Sequence, residues 1–245
     1  MSLRIEYFRK LRELIQKIEE GDAVRQIEQA AAVIADAMKK GGCVHLFDTG
    51  HMLDSELVSR AGGLVAFQAL RIRFEIENTV RQRPELASKD RSTEGLAAYA
   101  LKSSNALPGD VLVIGSVSGK TKLPVDLSLS ARKMGITVIA LTSVEYSRML
   151  KSDHSSGLRL FEAADLVIDN GAPPLDAMLE VGGLDAAICP ASGIGAAVIM
   201  WSVTAQVTEY LLADGLKPSV LKSINFPGSE AFNQEMMSRY AETSL

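Results

Sequence analysis

Cysteine is nearly absent from this chain: Cys43 and Cys189 are the two among 245 residues, too few for a disulfide framework. Both lie in apolar stretches, where free thiols behave as small hydrophobes, and a reducing, cytoplasmic setting is expected. Histidine is equally scarce, at three residues. No charge of one sign dominates either. The formal charge of -4 comes from mixed signs spread along the chain, so the basic stripe that drives counterion release on nucleic acid is missing. Nucleic acid is therefore excluded as an expected partner. Uninterrupted apolar runs are also lacking. Met1-Ser2-Leu3-Arg4 leads straight into a charged amphipathic segment, without the apolar core of a secretory signal. The most apolar stretch, Ala186 to Ala205, is broken by Pro190, Gly193 and Gly195 and carries Ser192, Ser202 and Thr204. It reads as a buried loop and helix, and no membrane partner is expected. Low-complexity linkers and internal repeats are absent, which predicts a single domain over residues 1–245.

What is present is a packed globule's composition, 47% hydrophobic and 23% charged, with a clear change of pattern near residue 41. Before it, Leu11, Leu14, Ile15 and Ile18, then Val24, Ile27, Ala31 and Ile34, recur at three- and four-residue spacing and predict two helices within residues 3–40, separated by Gly21. After it, short apolar runs alternate with helical stretches: Val44 to Phe47, Val65 to Leu70, Val111 to Ile114, Thr137 to Leu141 and Leu166 to Ile168. Strands apolar on both faces and spaced by helices predict a three-layer α/β core with a five-stranded, mostly parallel, doubly wound sheet of the flavodoxin-like kind. The core is expected at about 40–215, with the N-terminal helices and a C-terminal helix at 229–242 packed on it.

The segment Val111 to Leu127 runs from a strand through Ser116-Val117-Ser118-Gly119-Lys120-Thr121 into a helix, and nearly spells a nucleotide-binding loop. The spacing G-x-x-x-x-G-K-[ST] requires glycine at 114. That position is Ile114, and Gly115 comes one residue late. The hydroxyls of Ser116, Ser118 and Thr121 beside Gly119, at a helix start, suit a single phosphate monoester instead. The plainer reading is a strand-to-helix turn with Thr121 as N-cap.

These residues resemble the strand, S-x-S-G-x-[ST] loop and helix of sugar isomerase (SIS) domain proteins. The approach Gly41 to Phe47, the run Glu56-Leu57-Val58-Ser59-Arg60 and the strand Val138 to Thr142 resemble the phosphoheptose isomerases. The segments 51–64, 154–174 and 221–240 are most similar to the UPF0309 group. The resemblance covers about Ala23 to Tyr240. It implies a phosphorylated sugar or related carbohydrate as ligand, no cofactor, a homo-oligomer, and proton chemistry beside a carbonyl: isomerisation, or elimination of an ether as in N-acetylmuramic acid 6-phosphate etherases. A non-catalytic sugar-phosphate sensing module is the third possibility it leaves open.

Such chemistry needs a positioned carboxylate, and Glu56 matches the glutamate that acts in the phosphoheptose isomerases; its plainer role is a helical pair with Arg60. His154, at a helix start that Ser155 or Ser156 would cap, is a candidate for acid-base transfer. His45, inside an apolar strand, reads as a core histidine. Thr49, Gly50 and His51 of the first loop, Ser116, Ser118, Gly119, Lys120 and Thr121 of the second, and Ser192 before the long helix are the expected ligand contacts. His51 and Glu56 lie about 140° apart on a helix, so no metal site is expected.

Two departures stand out. The UPF0309 group usually reads GTGHSHML at its first loop, whereas this chain has Asp48-Thr49-Gly50-His51-Met52-Leu53. The leading glycine is an aspartate, and a Ser-His pair is missing. Val117 and Lys120 replace the usual Thr and Asn of the second loop. Asp48 places a carboxylate near a proposed phosphate, and Lys120 is expected to balance it by pairing with Asp48 or with the phosphate.

Overall fold

The computed structural model describes residues 2–50, 52–75, 77, 81 and 92–245. Five parallel strands form the central sheet: β1 (Val44–Asp48), β2 (Phe67–Ala69), β3 (Val111–Gly115), β4 (Thr137–Thr142) and β5 (Leu166–Asp169), in the order β2-β1-β3-β4-β5. All four pairings are parallel, where the sequence suggested only a mostly parallel sheet. The order reverses between β1 and β3, which is the switch point at which open α/β sheets bind ligands beyond their carboxyl ends.

Every residue of β3 is buried, and its side chains alternate between two cores. Val111 and Val113 join one with Leu46 and Ile139, while Leu112 and Ile114 join the other with Phe47, Val138 and Ala140. Helices α1 (Leu3–Glu20), α2 (Ala23–Lys39) and α8 (Ser192–Ala213) cover the first face; α4 (Leu96–Lys102), α5 (Lys122–Lys133) and α7 (Leu160–Ala163) cover the second. Burying each such Val, Leu or Ile stabilises by about 1.5–3 kcal/mol, so both helical layers are locked to the sheet. α3 (Asp54–Leu57) follows β1, α6 (Val144–Arg148) follows β4, and α9 (Ser229–Thr243) ends the chain.

The α8 helix is long and apolar enough to cross a membrane, yet Ile199, Met200, Val203, Val207 and Leu211 all join the core against α2. Its start presses on the sheet: any Cβ at Gly195 would collide with the Asn170 carbonyl beyond β5.

Three local expectations are corrected. The second strand is shorter than Val65 to Leu70, because Val65 and Leu64 pair instead with the chain before α9, through Val65 N to Ser219 O at 2.9 Å and the bridge Leu64 to Val220. The first-loop helix α3 has a single turn, since Val58 is extended and Ser59 has φ of 57°. An antiparallel hairpin, β6 (Ala177–Leu179) with β7 (Ile188–Pro190), was not anticipated.

Candidate functional site

The loop from Ser116 to Thr121 leaves β3 at the switch point and turns into α5 behind it. Its backbone is held from several sides. Ser116 N donates to Leu141 O at 3.0 Å, Ser143 N to Val117 O at 3.1 Å, Leu160 N to Gly119 O at 2.7 Å and Asp153 N to Lys120 O at 2.9 Å. The Thr142 hydroxyl adds a bond to Val117 O at 3.0 Å. Gly119 sits at φ +58°, and a Cβ there would lie 3.1 Å from Thr142 Oγ1 and 3.2 Å from Leu160 Cβ and Ser147 Oγ, so only glycine fits without displacement. The hydroxyls, by contrast, are unengaged. Among the described residues, Ser116, Ser118 and Thr121 make no side-chain hydrogen bond, and Thr121 occupies the N-cap position of α5 without capping it. A rigid backbone thus presents three idle hydroxyls.

The neighbouring first loop is built in the opposite way. The Asp48 carboxylate accepts from Gly50 N at 2.8 Å, Leu53 N at 2.6 Å and Asp54 N at 3.2 Å. The chain's own carboxylate therefore fills the N–H groups at the start of α3. The two loops touch: Asp48 pairs in register with Gly115, Thr49 N donates to Gly115 O at 3.2 Å, and a Cβ on Gly115 would come within 2.9 Å of Met52 Cε. Thr49 and Gly50 are exposed and line a cavity of about 320 Å³ between the carboxyl ends of β1 and β2. His51 lies outside the described residues.

Lys120 does not pair with Asp48. Its Nζ lies 3.1 Å from Asp153, because the 150–160 segment, hydrogen-bonded to Lys120 O, brings that carboxylate closer, while Asp48 is already satisfied by backbone.

Glu56 meets Arg60 at 2.8 Å, the partner expected from spacing but reached across extended Val58 and the turn at Ser59 rather than along a helix, and also accepts from Trp201 Nε1 on α8 at 3.2 Å. The tryptophan contact had no local signal, since 145 residues separate the partners. His154 is nearly buried. Its Nδ1 lies 2.8 Å from Ser156 Oγ, and its Nε2 is 4.0 Å from Glu94 and 3.9 Å from Asp126. Ser155 also donates its N–H to Glu94 at 3.0 Å; hydrogen bonding from the Ser155 side chain first, and then from this N–H, holds the Glu94 carboxyl below its ordinary value. Neither Ser155 nor Ser156 caps a helix: α7 begins later, at Leu160, and its N-cap is Arg159. The Arg159 guanidinium pulls Glu162 down to about 2 and donates to the carbonyls of Ser147 and Arg148.

Ser192 is fully buried and its hydroxyl is occupied, donating to Asp176 Oδ2 at 2.7 Å while Ser192 N donates to Asp176 Oδ1 at 2.7 Å. Asp176 thus does for α8 what Asp48 does for α3. His45 Nε2 lies 2.9 Å from Asp110 Oδ2, and that carboxylate also accepts from Cys43 N and Leu107 N; this cluster sits at the amino end of the sheet, opposite the loops.

The structure of the phosphoheptose isomerase of Neisseria gonorrhoeae superposes with a TM-score of 0.50 and 15% identity, covering 84% of this chain and 96% of that one; this likeness concerns the fold alone. Sequence comparison reaches further. A UPF0309 protein of Shouchella clausii is 36% identical over 98% of this chain and 97% of its own length. One of Streptomyces griseus is also 36% identical, over 91% and 88% respectively. The profile of the SIS domain matches residues 6–143, a span that contains both loops at the switch point. The chain belongs to the SIS domain family and, within it, to the UPF0309 group.

Proposed function

We propose that the chain binds a phosphorylated sugar, with the phosphate received by Ser116, Ser118, Gly119, Lys120 and Thr121, and acts on it as an aldose-ketose isomerase. The observation supporting this reading is a contrast between helix starts. Internal carboxylates occupy the first N–H groups of α3 and α8, whereas no described carboxylate fills the start of α5, where three hydroxyls stand idle. A phosphate supplies acceptor oxygens for those donors and negative charge for the helix start. Family membership supports a sugar as the remainder of the ligand.

Isomerisation moves one hydrogen between adjacent carbons. A base takes the C–H proton next to the carbonyl and the carbonyl oxygen gains a proton; the resulting enediol then gives up the proton of its other hydroxyl, which becomes the new carbonyl, as a proton is returned to the former carbonyl carbon, so no atom is gained or lost. Glu56 is the base in this reading. Its carboxylate is oriented by Trp201 and Arg60 and retains lone pairs beyond those two contacts. His154 is assigned the proton exchange at oxygen. Glu56→Gln is expected to abolish incorporation of solvent deuterium into the sugar phosphate, followed by NMR, while binding persists. Exchange that survives the substitution overturns the role of Glu56.

A non-catalytic binding module is the second reading, supported by the filling of the first loop by Asp48. Tight binding with no exchange in the parent protein selects it. Association into a homo-oligomer is also proposed, supported by the exposed apolar residues Leu3, Ile5 and Phe8 on α1.

A further inference from the structure

The cavity at the carboxyl ends of β1 and β2 contains groups that the phosphate loop does not use. It is lined by Asp48, Thr49, Asp54, Arg71 and Arg73 above an apolar floor that includes Leu70 and Ile72. Leu70 N donates to Leu46 O at 2.7 Å, so the chain beyond β2 continues alongside β1 and brings both arginines to the cavity wall. Arg71 grips Asp54 with two parallel bonds, Nε to Oδ2 at 2.6 Å and Nη2 to Oδ1 at 2.7 Å. Arg73 has no hydrogen bond or ion pair with any described residue.

The cavity lies on the same side of the sheet as the phosphate loop. Leu70 and Ile72 pack into the core that also receives Leu123, from the first turn of α5. Thr49 and Ser116 leave neighbouring paired strands, about 5 Å apart, which is within the span of one sugar chain.

The formal charges balance, with Asp48 and Asp54 against Arg71 and Arg73. A second anion would meet two carboxylates as well as two guanidiniums, and gains little there. A hydroxyl is suited differently, because it donates and accepts at once. It can donate to a free lone pair of Asp54 while accepting from Arg71 or Arg73, and successive hydroxyls of one carbon chain can repeat the pattern.

We propose that this cavity is a polyol subsite: Asp54, Arg71 and Arg73, with Thr49, read the uncharged hydroxyl-bearing chain of the substrate. The inference rests on the phosphate reading of the neighbouring loop and narrows it. The ligand is a sugar monophosphate whose far end carries hydroxyls and no carboxylate, a class that excludes lactyl ether sugars with their extra acid.

Isothermal titration of four probes tests this: inorganic phosphate, a hexitol, the hexitol monophosphate and the matching aldonate monophosphate. The parent is expected to bind the hexitol monophosphate about tenfold or more tighter than inorganic phosphate, since hydrogen bonds to charged groups carry that magnitude. Asp54→Asn and Arg71→Gln each remove most of this gain and leave inorganic phosphate unchanged; Ser118→Val weakens both. Arg71 is more than half exposed, so its substitution preserves the fold if Asp54→Asn does not. Preference for the aldonate, or a hexitol monophosphate constant that neither variant alters, overturns the polyol subsite. Asp54-dependent binding of the bare hexitol with no response to phosphate removes the phosphate loop and keeps the cavity, so the two readings fail separately.

Discussion

The loop after β1 and the loop after β3 stand side by side at the carboxyl edge of the sheet, and they use their backbone donors in opposite ways. In the first, Asp48 turns back and absorbs three N–H groups within six residues. In the second, the backbone is pinned by its carbonyls and by neighbouring segments, and the hydroxyls point to no described partner. Both are rigid. One is closed on itself, and the other leaves its hydroxyls without a partner among the described residues. Strand-to-helix geometry alone therefore does not leave a helix start open; in the proposed reading, what decides is whether the chain supplies its own anion.

The contrast can be broken most severely at Gly119. Gly119→Val forces a β-branched residue to positive φ against Thr142, Leu160 and Ser147, a combined strain and crowding cost of about 2 to 4 kcal/mol. The expected result is a lower urea midpoint together with loss of phosphate binding. An unchanged midpoint would show that the loop tolerates displacement.

Asp48→Ala removes the internal anion and should cost about 1 to 2 kcal/mol, as loss of a helix cap does. At the same time phosphate affinity should rise about threefold to tenfold, because a negative charge near the second loop is gone. Stability and affinity moving in opposite directions is the signature to seek; parallel loss of both would mean that the first loop merely supports the second.

Acid provides a gentler test through the Arg159–Glu162 capping pair, whose segment bonds Gly119 through Leu160 N. The Glu162 pKa is lowered in the folded state, from 4.5 to about 2. Its contribution is thus complete above the unfolded value and is lost as pH falls from 4.5 towards 2. The pair is largely solvated, so the loss is at most about 1 kcal/mol. Comparing the parent with Glu162→Gln at about pH 5 and about pH 3 should show a smaller difference at the lower value, where the folded carboxylate is only beginning to be protonated.

The smallest effect belongs to Lys120. Its pair with Asp153 is exposed, so Lys120→Met should change stability by less than about 1 kcal/mol. Phosphate affinity should nevertheless fall, and an unchanged constant would assign Lys120 to Asp153 alone.

The sheet and both helical layers were legible because β3 and β4 are continuous apolar runs and α1 and α2 carry regular three-and-four spacing, signals that depend only on near neighbours. The hydroxyl loop was legible for the same reason. The β6–β7 hairpin was not: its strands are three residues long, partly exposed and without alternation. Asp48 was visible as a departure, but its three backbone bonds were not, and the Lys120 pairing expected of it goes to Asp153 instead. A carboxylate six residues or fewer from several free N–H groups satisfies them before it repels anything else. Trp201, Glu94 and Asp126 reach Glu56 and His154 through the tertiary fold, and no local pattern announces them.

Trp201 is the chain's single tryptophan, and its indole N–H is tied to the carboxylate assigned to the chemistry. Indole emission responds to a charge at hydrogen-bonding distance. The molecule therefore carries its own optical reporter: protonation, substitution or displacement of Glu56 should shift the fluorescence of the native protein, with no label attached and no competing tryptophan to mask it.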